Sequence, residues 1–186
     1  MTKCKICKAE YTKQRMMQKC CSTECAEIFG KNKTKQEFEK KMRSDTKDRK
    51  EKLKSLNDWI RDAQTVFNRY IRLRDSFCSC ICCGNLPFST SEVGGLWDAG
   101  HFRSRGSSGH LRFNEDNCHA QLKKCNRWNA GNIVGYRMGL IERIGIERVE
   151  ALERNNDVHK WTVTELKEII AKYKLKIKEL ESTRDK

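Results

Sequence analysis

The spacing of the cysteines constrains this chain more than any other feature. There are eleven in 186 residues, in three clusters: Cys4, Cys7, Cys20, Cys21 and Cys25; Cys78, Cys80, Cys82 and Cys83; and Cys118 and Cys125. An odd number, in a sequence whose basic N-terminal residues lack the apolar stretch of a signal peptide, predicts reduced thiols in a cytosolic setting rather than a disulfide framework. In the first thirty residues Cys4-x-x-Cys7 and Cys21-Ser-Thr-Glu-Cys25 are separated by thirteen residues. Two such pairs can close a tetrahedron round one Zn2+, and a segment this poor in apolar surface needs the ion to fold. Residues 1–30 are therefore predicted to form a zinc finger on Cys4, Cys7, Cys21 and Cys25, with Cys20 left over.

Charge narrows the partner. Lys and Arg total 39 against 25 Asp and Glu, a formal net charge of +14, which suits a polyanion. An anionic membrane is the alternative surface, but no apolar run approaches a bilayer span. Residues 31–75 read as a basic helical arm. Its first part, 31–54, holds eleven basic and five acidic residues. Its second part places Trp59, Ala63, Val66, Phe67, Tyr70 and Ile71 at helical spacing after a start at Ser55 or Asn57. Residues 136–186 form a C-terminal helical region. Tyr136, Leu140, Ile141, Ile144, Val149 and Leu152 make one apolar face, and Thr162-Val-Thr-Glu165 is a capping box before Leu166, Ile169, Ile170, Tyr173, Ile177 and Leu180.

Residues 76–135 carry the chemistry. Cys80-Ile-Cys-Cys83-Gly84 precedes Asp98-Ala-Gly-His101, and Asn117-Cys118-His119 precedes Cys125-Asn126. A cysteine knuckle, a lone histidine, a loop, an asparagine and a second cysteine with an asparagine behind it is the order of a ββα-metal (His-Me finger, HNH) nuclease core. A hairpin there carries the histidine, a helix carries a metal ligand, and structural zinc ties the ends together. Phosphodiester hydrolysis needs a deprotonated water and positive charge on the transition state. Neutral imidazole suits the first task and Mg2+ or Mn2+ the second. His101 is the predicted general base. Asn126 is a predicted catalytic metal ligand, since an amide oxygen is a hard donor. Asp98 is the one carboxylate near His101 in sequence and the candidate charged ligand, although on a regular strand the two face opposite sides unless Ala99-Gly100 forms a bulge. Asn117 is placed with the catalytic group as the residue holding loop and histidine, and Asn132 is a further metal or structural candidate. Arg103 and Arg105 are predicted to bind DNA phosphates.

The run Trp97-Asp-Ala-Gly-His101-Phe-Arg, then Leu111-Arg-Phe-Asn-Glu-Asp-Asn117, Cys125-Asn126 and Gly131-Asn132, closely resembles the phage NinG family. The likeness extends to Tyr136-Arg137, Ile144-Gly145 and His159-Lys-Trp161-Thr162, and the finger's Cys-Ser-x-x-Cys ending is similar too. The resemblance implies a recombination endonuclease that is specific for Holliday junctions and D-loops, with a core like that of the phage endonuclease VII resolvases. One departure stands out. The family's second knuckle has two cysteines three apart, and Leu122 occupies the place of the first. Cys80, Cys83 and Cys125 then lack a fourth partner, for which Cys118 is favoured, with His119, Cys78 and Cys82 as alternatives.

The expected architecture is α+β: a zinc-stapled nuclease core flanked by helices and an N-terminal finger, with about two structural Zn2+ ions and a catalytic Mg2+ or Mn2+. The expected partners are branched DNA, cut by a homodimer since a junction needs two symmetric nicks, and other recombination proteins. A zinc-dependent DNA-binding adaptor without catalysis is the alternative.

Overall fold

Short local signals lay out the first part of the chain. In the computed structural model, which describes residues 1–86 and 96–184, strands β1 (Thr2–Lys3) and β2 (Glu10–Tyr11) pair antiparallel around the first cysteine pair. Ser22 then caps helix α1 (Thr23–Lys52), its side chain accepting from the Cys25 backbone N–H at 3.3 Å. This cap puts Cys21 just outside the helix and Cys25 in its first turn, so both thiols face the β1–β2 turn. Beyond that turn α1 buries no residue. It is held by its backbone ladder and by charge pairs such as Lys33–Glu37 rather than by an apolar face.

The chain divides into two units, Met1–Lys54 and Ser55–Lys186. The basic arm expected over 31–75 is split by this boundary, and the reason is amphipathicity. Residues 31–52 continue α1, whereas α2 (Leu56–Arg74) has an apolar face and joins the second unit. α2 begins at a capping box in which Ser55 Oγ accepts from Asp58 N and Asp58 Oδ2 accepts from Ser55 N. Trp59, Ala63, Phe67, Tyr70 and Ile71 are buried as the spacing predicts, while Val66 is partly buried. They pack on Leu166, Tyr173 and Ile177 of α5 (Val163–Arg184), with Phe67 edge-on to Tyr173 at 4.9 Å. The Thr162–Glu165 capping box opens α5.

Strands β3 (Trp97–His101) and β4 (Cys118–Leu122) form the antiparallel hairpin of this unit, with Asp98 opposite Gln121 and His101 opposite Cys118. Ala99 and Cys118 belong to the core formed with α2 and α5. On the other side, Phe102 joins a second core with Cys80, Ile81, Cys125, Tyr136, Leu140, Val149 and Leu152. The Tyr136 hydroxyl accepts from His119 N at 3.0 Å and donates to Gly100 O at 2.9 Å, which fixes α3 (Ile133–Ile144) to the hairpin. The apolar face expected from Tyr136 to Leu152 is shared by two helices, because Gly145 at φ 83° ends α3 and starts α4 (Ile146–Arg154).

α3 approaches the Cys80–Cys83 loop so closely that only glycine fits. A Cβ at Gly139 would lie 1.8 Å from the Ile81 carbonyl oxygen and one at Gly135 would lie 2.3 Å from that of Cys82. Since these atoms are backbone, Gly139→Ala is expected to push the helix off the loop, costing about 1–3 kcal/mol as overpacking does. Gly109→Ala, with open space around it, is the control. Equal melting temperatures of the two variants would contradict this packing.

Candidate functional site

Both cysteine groups are assembled. The thiols of Cys4, Cys7, Cys21 and Cys25 lie within 4.8 Å of one another, as do those of Cys80, Cys82, Cys83 and Cys125. Sγ–Sγ separations of 3.4 and 3.9 Å occur in the first group and of 3.5 and 3.6 Å in the second. A disulfide is about 2.05 Å long, whereas a tetrahedron with Zn–S bonds of about 2.3 Å has edges near 3.8 Å. Thiol chemistry and spacing thus fit a zinc ion in each group. The packed thiols also disturb one another. Burial opposes ionisation of Cys4, but backbone hydrogen bonds bring it down to about 5, while the Cys7 contact pushes Cys21 up to about 12. In the second group the Cys82 contact lowers Cys80 to about 4, and burial raises Cys125 to about 11. A cation shared by all four sulfurs relieves this conflict.

The fourth member of the central group is Cys82, not Cys118. Cys118 points across the hairpin into the α2–α5 core, where it is fully buried with its Sγ 3.7 Å from His101 Nδ1. Strand alternation sets this, because Cys118 shares a sheet face with His101 and the knuckle lies on the other. His119 stays out of the group as well. Its ring packs 6.4 Å from that of Tyr136, and among the described residues its buried Nδ1 has no hydrogen-bond partner. Leu122, in place of a cysteine, contributes its backbone N–H, which donates to Cys80 Sγ at 3.2 Å.

β3 carries no bulge between Asp98 and His101: their register partners, Gln121 and Cys118, advance in step. The two side chains therefore occupy opposite faces, about 10 Å apart along the strand. The structure does bring Asp98 to Asn126, whose Nδ2 donates to Asp98 Oδ2 at 3.0 Å. Arg127 closes the pair, with Nε 2.7 Å from Oδ2 and Nη2 2.9 Å from Oδ1. Burial would raise the Asp98 carboxyl, but the Arg127 and Asn126 hydrogen bonds outweigh it and hold it below the usual range. Asp98 and Asn126 are hard donors of the kind Mg2+ takes. Here, however, both carboxylate oxygens are engaged by a guanidinium and the pair faces away from His101, so the arrangement does not fit the expected catalytic metal centre. Asn132 is structural. It caps α3 in the left-handed conformation and donates to Cys82 O at 3.2 Å.

Asn117 bonds to the loop after β3 and not to His101 itself. Fully buried, it accepts from Arg103 N at 2.8 Å and donates to Arg103 O and Leu111 O at 3.1 Å, clamping the ends of the loop after β3. His101 Nε2 lies 3.0 Å from Arg112 O in that loop. A donor there fixes the tautomer with Nδ1 as the basic nitrogen. Burial, with Arg105 and Arg112 nearby, lowers His101 to about 4, and burial with Arg74 lowers His119 to about 4. The folded chain thus binds fewer protons than the unfolded one between about pH 4 and the ordinary 6.5. The stability these groups contribute is complete above 6.5 and is lost as the pH falls toward 4. The imidazole resonances of both should hold their neutral positions down to about pH 5, and an NMR midpoint near 6.5 for His101 would overturn the burial argument.

The two arginines predicted to meet DNA part company. Arg103 donates from Nη1 to the carbonyls of Leu152 and Glu153 at 3.0 and 3.1 Å and from Nη2 to Asn156 Oδ1 at 2.9 Å, capping the C-terminus of α4. Arg105 instead lines an open cleft between this loop and α2, together with Arg112. Sequence reading passed over Arg112, although it stands within the motif at the position whose carbonyl holds His101.

By fold and site the chain is a small, strongly basic α+β protein of helices and short sheets, with two four-thiol groups that could each hold a zinc ion. The family model described as "Bacteriophage Lambda NinG protein" matches residues 1–183, and the chain belongs to the NinG family. A curated relative, "Protein ninG" of Escherichia phage lambda, is 44% identical over 136 residues, covering 73% of this chain and 64% of the relative. The protein of the same name in Salmonella phage P22 is 43% identical with the same coverage. That of Enterobacteria phage H19B is 38% identical over 98% of this chain and 94% of its own length. The chain thus spans somewhat less than two thirds of the lambda and P22 relatives it matches. No solved structure matches it. No described helix is long and apolar enough to cross a membrane.

Proposed function

We propose that this chain is a structure-specific DNA endonuclease acting on branched recombination intermediates such as Holliday junctions and D-loops, with His101 as general base. The observation that carries the reading is the setting of His101: a neutral imidazole at the end of β3, with its tautomer fixed through the Arg112 carbonyl, next to the loop clamped by Asn117 and beside two arginines. In the proposed step Nδ1 accepts a proton from water as the oxygen attacks phosphorus, and the P–O bond on the far side breaks, its oxygen taking a proton from solvent. A base lowered to about 4 is weak in the free protein, but the charge of a bound phosphodiester favours the imidazolium and raises it toward the working range.

The expected Mg2+ or Mn2+ on Asp98 and Asn126 enters no step, since Arg127 already neutralises Asp98 on the opposite face. The zinc ions would be structural: the tetrads tie β1–β2 to α1 in one unit, and the 80–83 loop to the turn carrying Cys125 in the other. A pair of chains, each making one nick, would serve a four-way junction.

The adaptor reading keeps one observation of its own, because both ring nitrogens of His101 have neighbours, Arg112 O and Cys118 Sγ. Cleavage of labelled four-way junction, D-loop and linear duplex by the wild type and His101→Ala, beside binding to the same DNAs, separates the two. An adaptor binds junctions, cuts none, and is unchanged by the substitution.

A further inference from the structure

Arg112 does two things from one position. Its main-chain carbonyl holds His101, while its side chain turns into a cleft of about 240 Å3 shared with Arg105 and with Asn57, Arg61, Gln64 and Asn68 of α2. In the cleft Arg112 Nη1 lies 3.4 Å from Gln64 Oε1, and Nη2 lies 3.5 Å from the Arg105 carbonyl. These are long, neutral contacts. They contrast with the treatment of arginines elsewhere in this unit: Arg74, Arg127, Arg137 and Arg148 each hold a carboxylate. Among the described residues neither Arg105 nor Arg112 forms an ion pair, and Arg61, across the cleft, is paired with Asp58 on its own helix. Two adjacent guanidiniums without a carboxylate repel each other. Burial followed by the Arg105 charge lowers Arg112, and both arginines disfavour a proton on His101. An anion in the cleft would remove that repulsion and gain the bidentate bonds for which guanidinium is shaped. The amides of Gln64, Asn68 and Asn57 are of the kind that contact sugar and phosphate oxygens without reading bases.

We infer that Arg105 and Arg112, with the amide-bearing face of α2, form the phosphodiester-binding subsite that presents a DNA strand to His101. The inference rests on the nuclease reading for its catalytic half only, since binding of a phosphodiester strand can be measured whether or not the strand is cut. It also gives α2 a second role: one face builds the core and the adjoining one forms a wall of the subsite. Arg103, spent on the α4 terminus, is not part of it.

The test measures binding of the full zinc-loaded chain to a fluorescein-labelled four-way junction, by anisotropy, over a range of salt concentrations. Each phosphate contact contributes about 0.9 to the slope of log K against log salt. Arg105→Gln and Arg112→Gln should each lower the slope by about 1, and the double variant by about 2, while His101→Ala leaves it unchanged. Arg112→Lys keeps the charge and the carbonyl on His101 and should retain the slope while slowing single-turnover cleavage. Unaltered melting of each variant shows that the fold is intact. A lowered slope together with lost cleavage supports both the subsite and the nuclease. A lowered slope with a wild type that cuts none of the DNAs supports the subsite and removes the nuclease. Slope and affinity unchanged in the double variant overturn the subsite, whatever happens to cleavage.

Discussion

Replacing Cys82 with serine is expected to reduce the zinc content from about two ions per chain to about one, while Cys118→Ser should keep both. Cys82 is one of four thiols gathered within 4.8 Å, and it is buried. No spare sulfur stands in the group to replace it among the described residues, since Cys118 lies across the hairpin beside His101. Structural zinc binding is worth roughly 10–16 kcal/mol in small sites, as much as the whole stability of an ordinary domain, about 5–15 kcal/mol. Loss of the ion should therefore end cooperative unfolding of the second unit. It would release the 80–83 loop against which Gly135 and Gly139 of α3 are pressed. Elemental analysis reads the ion directly, and it is the better readout for Cys118→Ser, where a hydroxyl in the core costs about 1–3 kcal/mol without any metal being involved. If Cys82→Ser keeps two zinc ions, or Cys118→Ser loses one, the ligand set is wrong.

His101→Ala should reduce single-turnover cleavage of a four-way junction by about 10²–10⁴-fold, the range of general-base catalysis. Affinity for the same junction should be nearly unchanged. The asymmetry follows from where the interactions act. In the proposed step the imidazole would take its proton as the transition state forms and add little to the ground-state complex, whereas Arg105 and Arg112 would meet phosphate charge that is present throughout. The alanine also leaves the Asn117 clamp untouched, because its bonds run to Arg103 and Leu111. A variant that cuts at the wild-type rate would move His101 to the structural role suggested by its bond to Arg112 O. Cleavage that falls only in step with affinity would point the same way.

Much of this arrangement is legible in the sequence because its causes are local. Ser55 and Thr162 cap helices through bonds to residues three positions on. The apolar residues of α2 and α5 recur at the spacing that puts them on one side, and they are the residues buried in the core or packed against it. Cys4, Cys7, Cys21 and Cys25 meet because a tight turn and a helix start bring each pair together, whatever the rest of the chain does.

The rest was decided by competition among similar groups, and short-range spacing does not settle that. Cys82 and Cys118 were both within reach of the vacancy left by Leu122; the sheet register turns Cys118 toward α2, and the path of the 80–83 loop turns Cys82 inward. Asp98 and His101 are neighbours in sequence, yet a strand without a bulge places them on opposite faces, where Arg127 takes the carboxylate. Arg103 and Arg105 look alike in the sequence, but the end of α4 lies beside one and a cleft beside the other. Arg112 gained its place beside His101 only through the folding back of the loop that Asn117 holds. Capping, helical periodicity and thiol pairing are fixed by covalent geometry over a few residues, and the sequence by itself determines them. Which donor finds which partner depends on strand parity and on long-range approach, and only the tertiary structure decides it.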